Sequence, residues 1–163
     1  MYYINIFFIY SFLGYIFENI YSFITHSHFN SGILYGPCTF IYGIAIYIIM
    51  VLNRFLKQFK LNKWLEVLLF YIGACIIMTL VEFTGGNLIE KLLHVQYWNY
   101  QNMRFNYGPY ISLEASLFWG VFATLVNYLL APKIKKIAKK IPSYLTITFI
   151  ILFIIDILVV IFN

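Results

Sequence analysis

Four carboxylates, Glu18, Glu82, Glu90 and Asp156, lie inside or beside apolar runs long enough to cross a membrane. Groups of this kind can bind a cation, hold a cationic solute or relay a proton. Their placement carries a cost of roughly 2.5–3.5 kcal/mol for a charge at the centre of a spanning helix. Carboxylates found there face a bundle interior or a wetted cavity, where they are paired, protonated or used. Glu18 and Glu82, with Glu90, are therefore the candidates for a polar pocket opening outward. Asp156 stands alone on an otherwise apolar last helix and must face the bundle, a partner chain or a water defect.

A second constellation, Trp98, Asn99, Tyr100, Arg104, Phe105 and Asn106, falls in one stretch between apolar runs. It suits an interfacial aromatic belt with Arg104 reaching headgroups. It equally suits a lid over the carboxylates, with Arg104 paired to Glu18, Glu82 or Glu90. His26, His28 and His94 belong to the same surface. Imidazoles beside carboxylates have metal-ligand chemistry, but their spacing fits no ligand signature, so neither a metal nor another cofactor is expected. Cys38 and Cys75 form no CxxC and fall at different depths, which argues against a disulfide. Glu114, in the first turn of a helix, suits the helix dipole.

The elements that must position these groups follow from composition. The 163 residues are 63% hydrophobic and 10% charged, against about 45–50% and about 25% in a soluble domain. The excess is gathered in runs of the roughly 20 residues that a bilayer core requires. One all-α domain over residues 1–163 is expected, an integral bundle of five transmembrane helices. They cover about Tyr3–Thr25, Gly36–Leu52, Trp64–His94, Ser112–Ala131 and Tyr144–Phe162. The first run lacks the basic start and small-residue cleavage pattern of a signal peptide, and reads as a retained span. Pro37 suits the first turn of the second helix, where a missing donor does no harm. Gly85-Gly86 marks a kink or close-packing point in the long third helix.

The net charge of +5 resides in short connections rather than in a nucleic-acid face. Arg54, Lys57, Lys60 and Lys63 lie between the second and third helices. Lys133, Lys135, Lys136, Lys139 and Lys140 lie between the fourth and fifth, in a loop bounded by Pro132 and Pro142. Both clusters assign that side to the cytoplasm, with the N-terminus inside, the C-terminus outside and anionic headgroups nearby.

Helical spacing collects small and polar residues on shared faces. Ser11, Gly14, Glu18, Ser22 and Thr25 form one face of the first helix. Cys75, Thr79, Glu82, Gly86 and Glu90 form one on the third, and Ser116, Gly120, Thr124 and Asn127 a weaker one on the fourth. Such faces let helices approach and hydrogen-bond across the gap. A shift of 72 positions superposes Gly14 on Gly86, Glu18 on Glu90, Asn30 on Asn102 and Tyr35-Gly36-Pro37 on Tyr107-Gly108-Pro109. That reads either as a two-helix unit used twice, its Tyr-Gly-Pro opening the second helix, or as chance in a biased composition.

Leu13-Gly14-Tyr15 before Glu18, and Leu34-Tyr35-Gly36-Pro37 leading to Ile41-Tyr42-Gly43, form an ordered set of motifs. The set continues through Glu82, Leu88-Ile89-Glu90-Lys91, Trp98-Asn99-Tyr100 and Ser116-Leu117-Phe118-Trp119-Gly120. In order and spacing it resembles the CmpB-like, type IV ABC-transporter family of bacterial multi-pass membrane proteins, over the first four helices. Phe40 replaces a frequent proline, Asn99 a frequent aspartate, and no arginine follows Gly108. The resemblance implies a transport permease of the cell membrane. It adds Tyr35 and Tyr42 to the pocket candidates and Gly36, Pro37 and Gly43, beside Gly14, Gly86 and Gly120, to the packing positions. No GxxxxGK[ST] occurs, so any ATPase would be a separate subunit.

Three function classes are compatible with these residues. The first is a permease subunit, partnered or oligomeric, with an outward acidic and aromatic pocket. The second is a non-catalytic binding or assembly protein holding a partner helix, peptide or lipid. The third is an enzyme acting on lipid, with the carboxylates and His94 as acid and base. No nucleophile or metal spacing supports the third, and the chain is expected not to be an enzyme.

Overall fold

The computed structural model describes residues 1–26 and 33–162. Its helices are α1 Tyr2–His26, α2 Phe40–Lys57, α3 Lys63–Leu93, α4 Leu113–Leu125, α5 Ala131–Lys140 and α6 Ser143–Phe162. A π-helical turn, Val126–Leu130, joins α4 to α5. Two short strands, β1 Asn106–Tyr107 and β2 Ile111–Ser112, pair antiparallel ahead of α4, with Asn106 opposite Ser112. Five segments are long and apolar enough to cross a membrane: Tyr2–Ile20, Phe40–Lys57, Lys63–Leu93, Leu113–Lys140 and Ser143–Phe162. The architecture is all-α and that of a multi-pass membrane protein, as the apolar runs led us to expect. On α6, mean hydropathy reaches 3.0 while only 6% of its window is buried within the chain. Ile151, Leu152, Ile154, Ile155 and Leu158 stand exposed there, an arrangement that suits lipid rather than water.

Four points differ from the sequence reading. The second helix begins at Phe40, so Pro37 lies outside its first turn. The preceding N–H groups are engaged elsewhere: Cys38 donates to the Gly36 carbonyl at 2.7 Å and Thr39 to the Ser11 carbonyl at 3.1 Å. Tyr107-Gly108-Pro109 likewise stops short of its helix, for β2 intervenes. Arg54 and Lys57 belong to the last turn of α2, where a cation meets the negative end of the dipole. Lys133–Lys140 is not a loop but the amphipathic helix α5. The π turn, closed by Ala131 N–H on the Val126 carbonyl, lets the helix pass Pro132. That residue has no N–H to give, and its ring would crowd the carbonyl one turn back.

The third helix, by contrast, matches its expected limits and runs unbroken through Gly85-Gly86. Asn62 caps its start by accepting the Leu65 N–H at 2.9 Å. His94 ends it in the left-handed conformation, φ 54°.

The contacts divide the chain into two compact units, Met1–Ile46 with Lys133–Asn163, and Tyr47–Pro132. In the first, a side chain at Gly14 would collide with the Tyr42 ring, and one at Gly43 with Ser11 and Phe7. These two glycines are what allow α1 and the start of α2 to touch. Phe8 packs on Phe149 and Phe153 of α6, with centroids 5.8 Å apart in each case. In the second unit the small faces of α3 and α4 meet as their spacing implies. Gly120 receives Cys75 and Tyr71, Thr79 donates to Ser116 Oγ at 2.6 Å, and Asn127 is buried. Phe70, fully buried, stands edge-on to Tyr128 at 5.4 Å.

Candidate functional site

The spans cannot leave a carboxylate without donors, and tyrosine supplies most of them. In the first unit Glu18, half-buried on α1, accepts the Tyr42 hydroxyl at 2.5 Å. The ring of Tyr42 lies on Gly14, one helical turn before Glu18. Any larger residue at Gly14 would hold the phenol away from the carboxylate. Ser11 and Asn19 are buried on the same helix. The side chains of Ser22, Thr25 and His26, with His28 and Asn30, lie outside the described residues.

In the second unit Glu82, only 8% exposed, accepts the Tyr100 hydroxyl at 2.5 Å. Two turns further along α3, Glu90 accepts the Tyr110 hydroxyl at 3.0 Å. The Tyr110 ring lies on Gly86, one turn before Glu90. Trp98 meets Tyr110 edge-on at 5.9 Å. Burial pushes the Tyr110 phenol above its ordinary range; the Gln96 amide opposes the rise and the Glu90 carboxylate adds to it. Tyr110 therefore remains a donor to Glu90 at neutral pH.

The shift of 72 positions thus has a geometric counterpart inside each unit. In both, a Gly-x-x-x-Glu stretch receives one tyrosine whose ring covers the glycine and whose hydroxyl reaches the glutamate. The parallel ends at Tyr-Gly-Pro. Gly108 forms the tip of the β1–β2 turn with φ +66°, a conformation that glycine adopts without strain. Gly36 instead donates its N–H to Asp156 Oδ2 at 2.8 Å, while Tyr35 N–H donates to Oδ1 at 3.0 Å. Asp156 therefore faces the bundle and anchors the segment leading into α2.

The loop between α3 and α4 is held mainly by its own polar side chains. Asn99 accepts the Gln101 N–H at 2.8 Å and donates to Gln96 at 2.9 Å. Asn106 donates to the carbonyls of Gln101 and Met103, and Tyr100 N–H reaches the Pro109 carbonyl at 2.8 Å. Ser112 caps α4 through the Ala115 N–H at 3.1 Å. Glu114 accepts the Phe105 N–H at 3.2 Å, so it ties the loop to the first turn of α4. Arg104 is exposed, with its guanidinium 5.2 Å from the Phe105 ring centre. Among the described residues the ion pair is Lys63–Glu66, at 3.8 Å. Tyrosine hydroxyls, rather than Arg104, thus meet Glu82 and Glu90. Glu66 follows the same pattern, accepting the Tyr128 hydroxyl at 3.0 Å.

Tyr100 was among the site candidates, whereas Tyr110 and Tyr128 were not. Fifteen tyrosines in 163 residues were a signal for buried phenol donors, but spacing alone did not say which carboxylate each would reach. Of the packing candidates, Gly14, Gly36, Gly43, Gly86 and Gly120 sit where an added side chain would strike a neighbour, Gly36 against the Asp156 carboxylate. Pro37 and the Tyr35 side chain are exposed.

An all-α chain with five membrane-spanning segments and hydrogen-bonded carboxylates within them defines a polytopic integral membrane protein. A family model described as Putative ABC-transporter type IV matches residues 5–161, and the chain belongs to that family. No curated protein and no solved structure matches the chain. Family and architecture together are compatible with a transport-related membrane protein.

Proposed function

We propose that the chain is the permease subunit of a bacterial transport system, one transmembrane domain over residues 1–163 in the cytoplasmic membrane. Its N-terminus is inside and its C-terminus outside. It works as an oligomer or with a separate ATPase. The observation that carries this reading is the set of glutamates within the spans, each meeting a tyrosine hydroxyl: Glu18 with Tyr42, and Glu82 with Tyr100. A phenol is a neutral donor. It satisfies one lone pair without cancelling the charge, and leaves the carboxylate able to take a proton or a cation. Trp98, Tyr100 and Tyr110 supply aromatic faces for an organic cation. The residues proposed to carry this function are Glu18, Tyr35 and Tyr42 in the first unit, and Glu82, Glu90, Trp98, Asn99, Tyr100, Arg104 and Asn106 in the second.

Proteoliposomes carrying a pH-sensitive dye test the reading, with ethidium as the cationic probe. Wild-type protein is expected to move protons or the probe. A Glu18→Gln/Glu82→Gln variant is expected to insert normally and to lose at least tenfold in flux. Wild-type flux from that double variant would overturn the proposal.

A second reading, a non-catalytic binding or assembly protein, is favoured by the fact that tyrosines of the same chain already occupy these carboxylates. A neutral amide accepts the same phenol hydrogen bond. In this case Glu→Gln is nearly silent in every assay, and a partner chain co-purifies with both forms.

A further inference from the structure

We propose that α5 is a docking surface for anionic phospholipid headgroups. Within ten residues it carries Lys133, Lys135, Lys136, Lys139 and Lys140. Ala131, Ile134 and Ala138 form its buried line. At helical spacing Lys133, Lys136 and Lys140 run along the opposite side, with Lys135 and Lys139 on one flank. Lys133, Lys136, Lys139 and Lys140 are exposed and Lys135 is half-buried.

Two hydrogen bonds set the depth of this helix. Asn5 is fully enclosed near the start of α1. It donates to the Ala138 carbonyl at 2.9 Å and accepts the Thr146 hydroxyl at 2.6 Å. Thr146 lies in the first turn of α6. Both α1 and α6 are spanning segments that begin within a turn of these contacts. The C-terminal half of α5 is thereby level with the ends of two spans, where headgroups lie.

Among the described residues no carboxylate pairs with these lysines. Its six carboxylates are engaged elsewhere. Glu18, Glu82 and Glu90 hold tyrosine hydroxyls. Glu66 takes Tyr128 and Lys63, Glu114 takes Phe105 N–H, and Asp156 takes Tyr35 and Gly36 N–H. Among the described residues no ion pair includes a lysine of α5. The counter-charge must come from outside, and at this depth it is the phosphate of an acidic lipid. Basic clusters beside a spanning helix attract anionic lipid in this way. Ile137, exposed next to the lysines, adds apolar contact at the acyl boundary.

The test uses the full chain in phosphatidylcholine vesicles doped with spin-labelled phosphatidylglycerol or spin-labelled phosphatidylcholine. Wild-type protein is expected to immobilise the anionic probe several-fold more than the neutral one, with the preference shrinking at high salt. Lys133→Gln/Lys136→Gln/Lys140→Gln should remove most of the preference, and the matching Lys→Arg variant should keep it. Equal immobilisation of the two probes by wild-type protein would overturn the proposal. So would an undiminished preference in a glutamine variant that retains its helical circular dichroism. Should that variant fail to insert, the wild-type salt response decides, because a preference indifferent to salt is not electrostatic and also overturns the proposal.

Discussion

At the residue scale, the recurring solution is a carboxylate satisfied by a neutral donor. Asp156 shows its structural side. The two N–H groups of Tyr35 and Gly36 converge on one side chain of α6, and each hydrogen bond to a charged acceptor contributes about 1.5–3 kcal/mol. Asp156→Ala removes the charged acceptor of both bonds and is expected to cost about 2–4 kcal/mol. Asp156→Asn keeps one acceptor and should cost less. Unfolding of the purified protein in detergent checks the order, and an alanine variant as stable as wild type would remove Asp156 as the anchor. The sequence alone marked Asp156 as unusual without choosing its partner. Tyr35 and Gly36 lie 121 and 120 positions away from it, and no periodicity reaches that far. The carboxylates themselves were legible, because an ionisable group in an apolar run stands out at once.

At the scale of elements, glycine decides which helices and loops can touch. Gly86 admits the Tyr110 ring, so Tyr110 can reach Glu90 while Trp98 packs against its edge. Gly86→Leu fills that notch and should displace the loop at a cost of about 1–3 kcal/mol. The exposed Arg104 provides the readout. Trypsin is expected to cut after it at least several-fold faster in the leucine variant, whereas unchanged cleavage would mean that Tyr110 does not hold the loop. Helical spacing had already identified the small faces of α3 and α4, because i, i+4 periodicity places Cys75, Thr79, Ser116 and Gly120 without tertiary information. It did not foresee that the fourth helix continues through Pro132. A proline beside a lysine run reads locally as a stop, and only the π turn allows the chain to pass it.

For the whole molecule, the proposed orientation has an odd number of spans with the lysines of α5 inside, and so predicts that the end of α6 lies outside. A periplasm-active phosphatase fused there should be active, and the same reporter fused within the α2–α3 connection near Lys60 should be silent. The reversed pattern would refute the orientation. Composition and run length by themselves determined that this is a membrane bundle. They also determined how many segments are long and apolar enough to cross and which carboxylates are costly, because hydrophobic transfer is local and additive along a helix. Only the tertiary structure decided which tyrosine answers which carboxylate, where α2 begins, and that the basic loop is a helix. Those outcomes depend on groups far apart in the chain competing for the same few donors and acceptors in a medium that provides none.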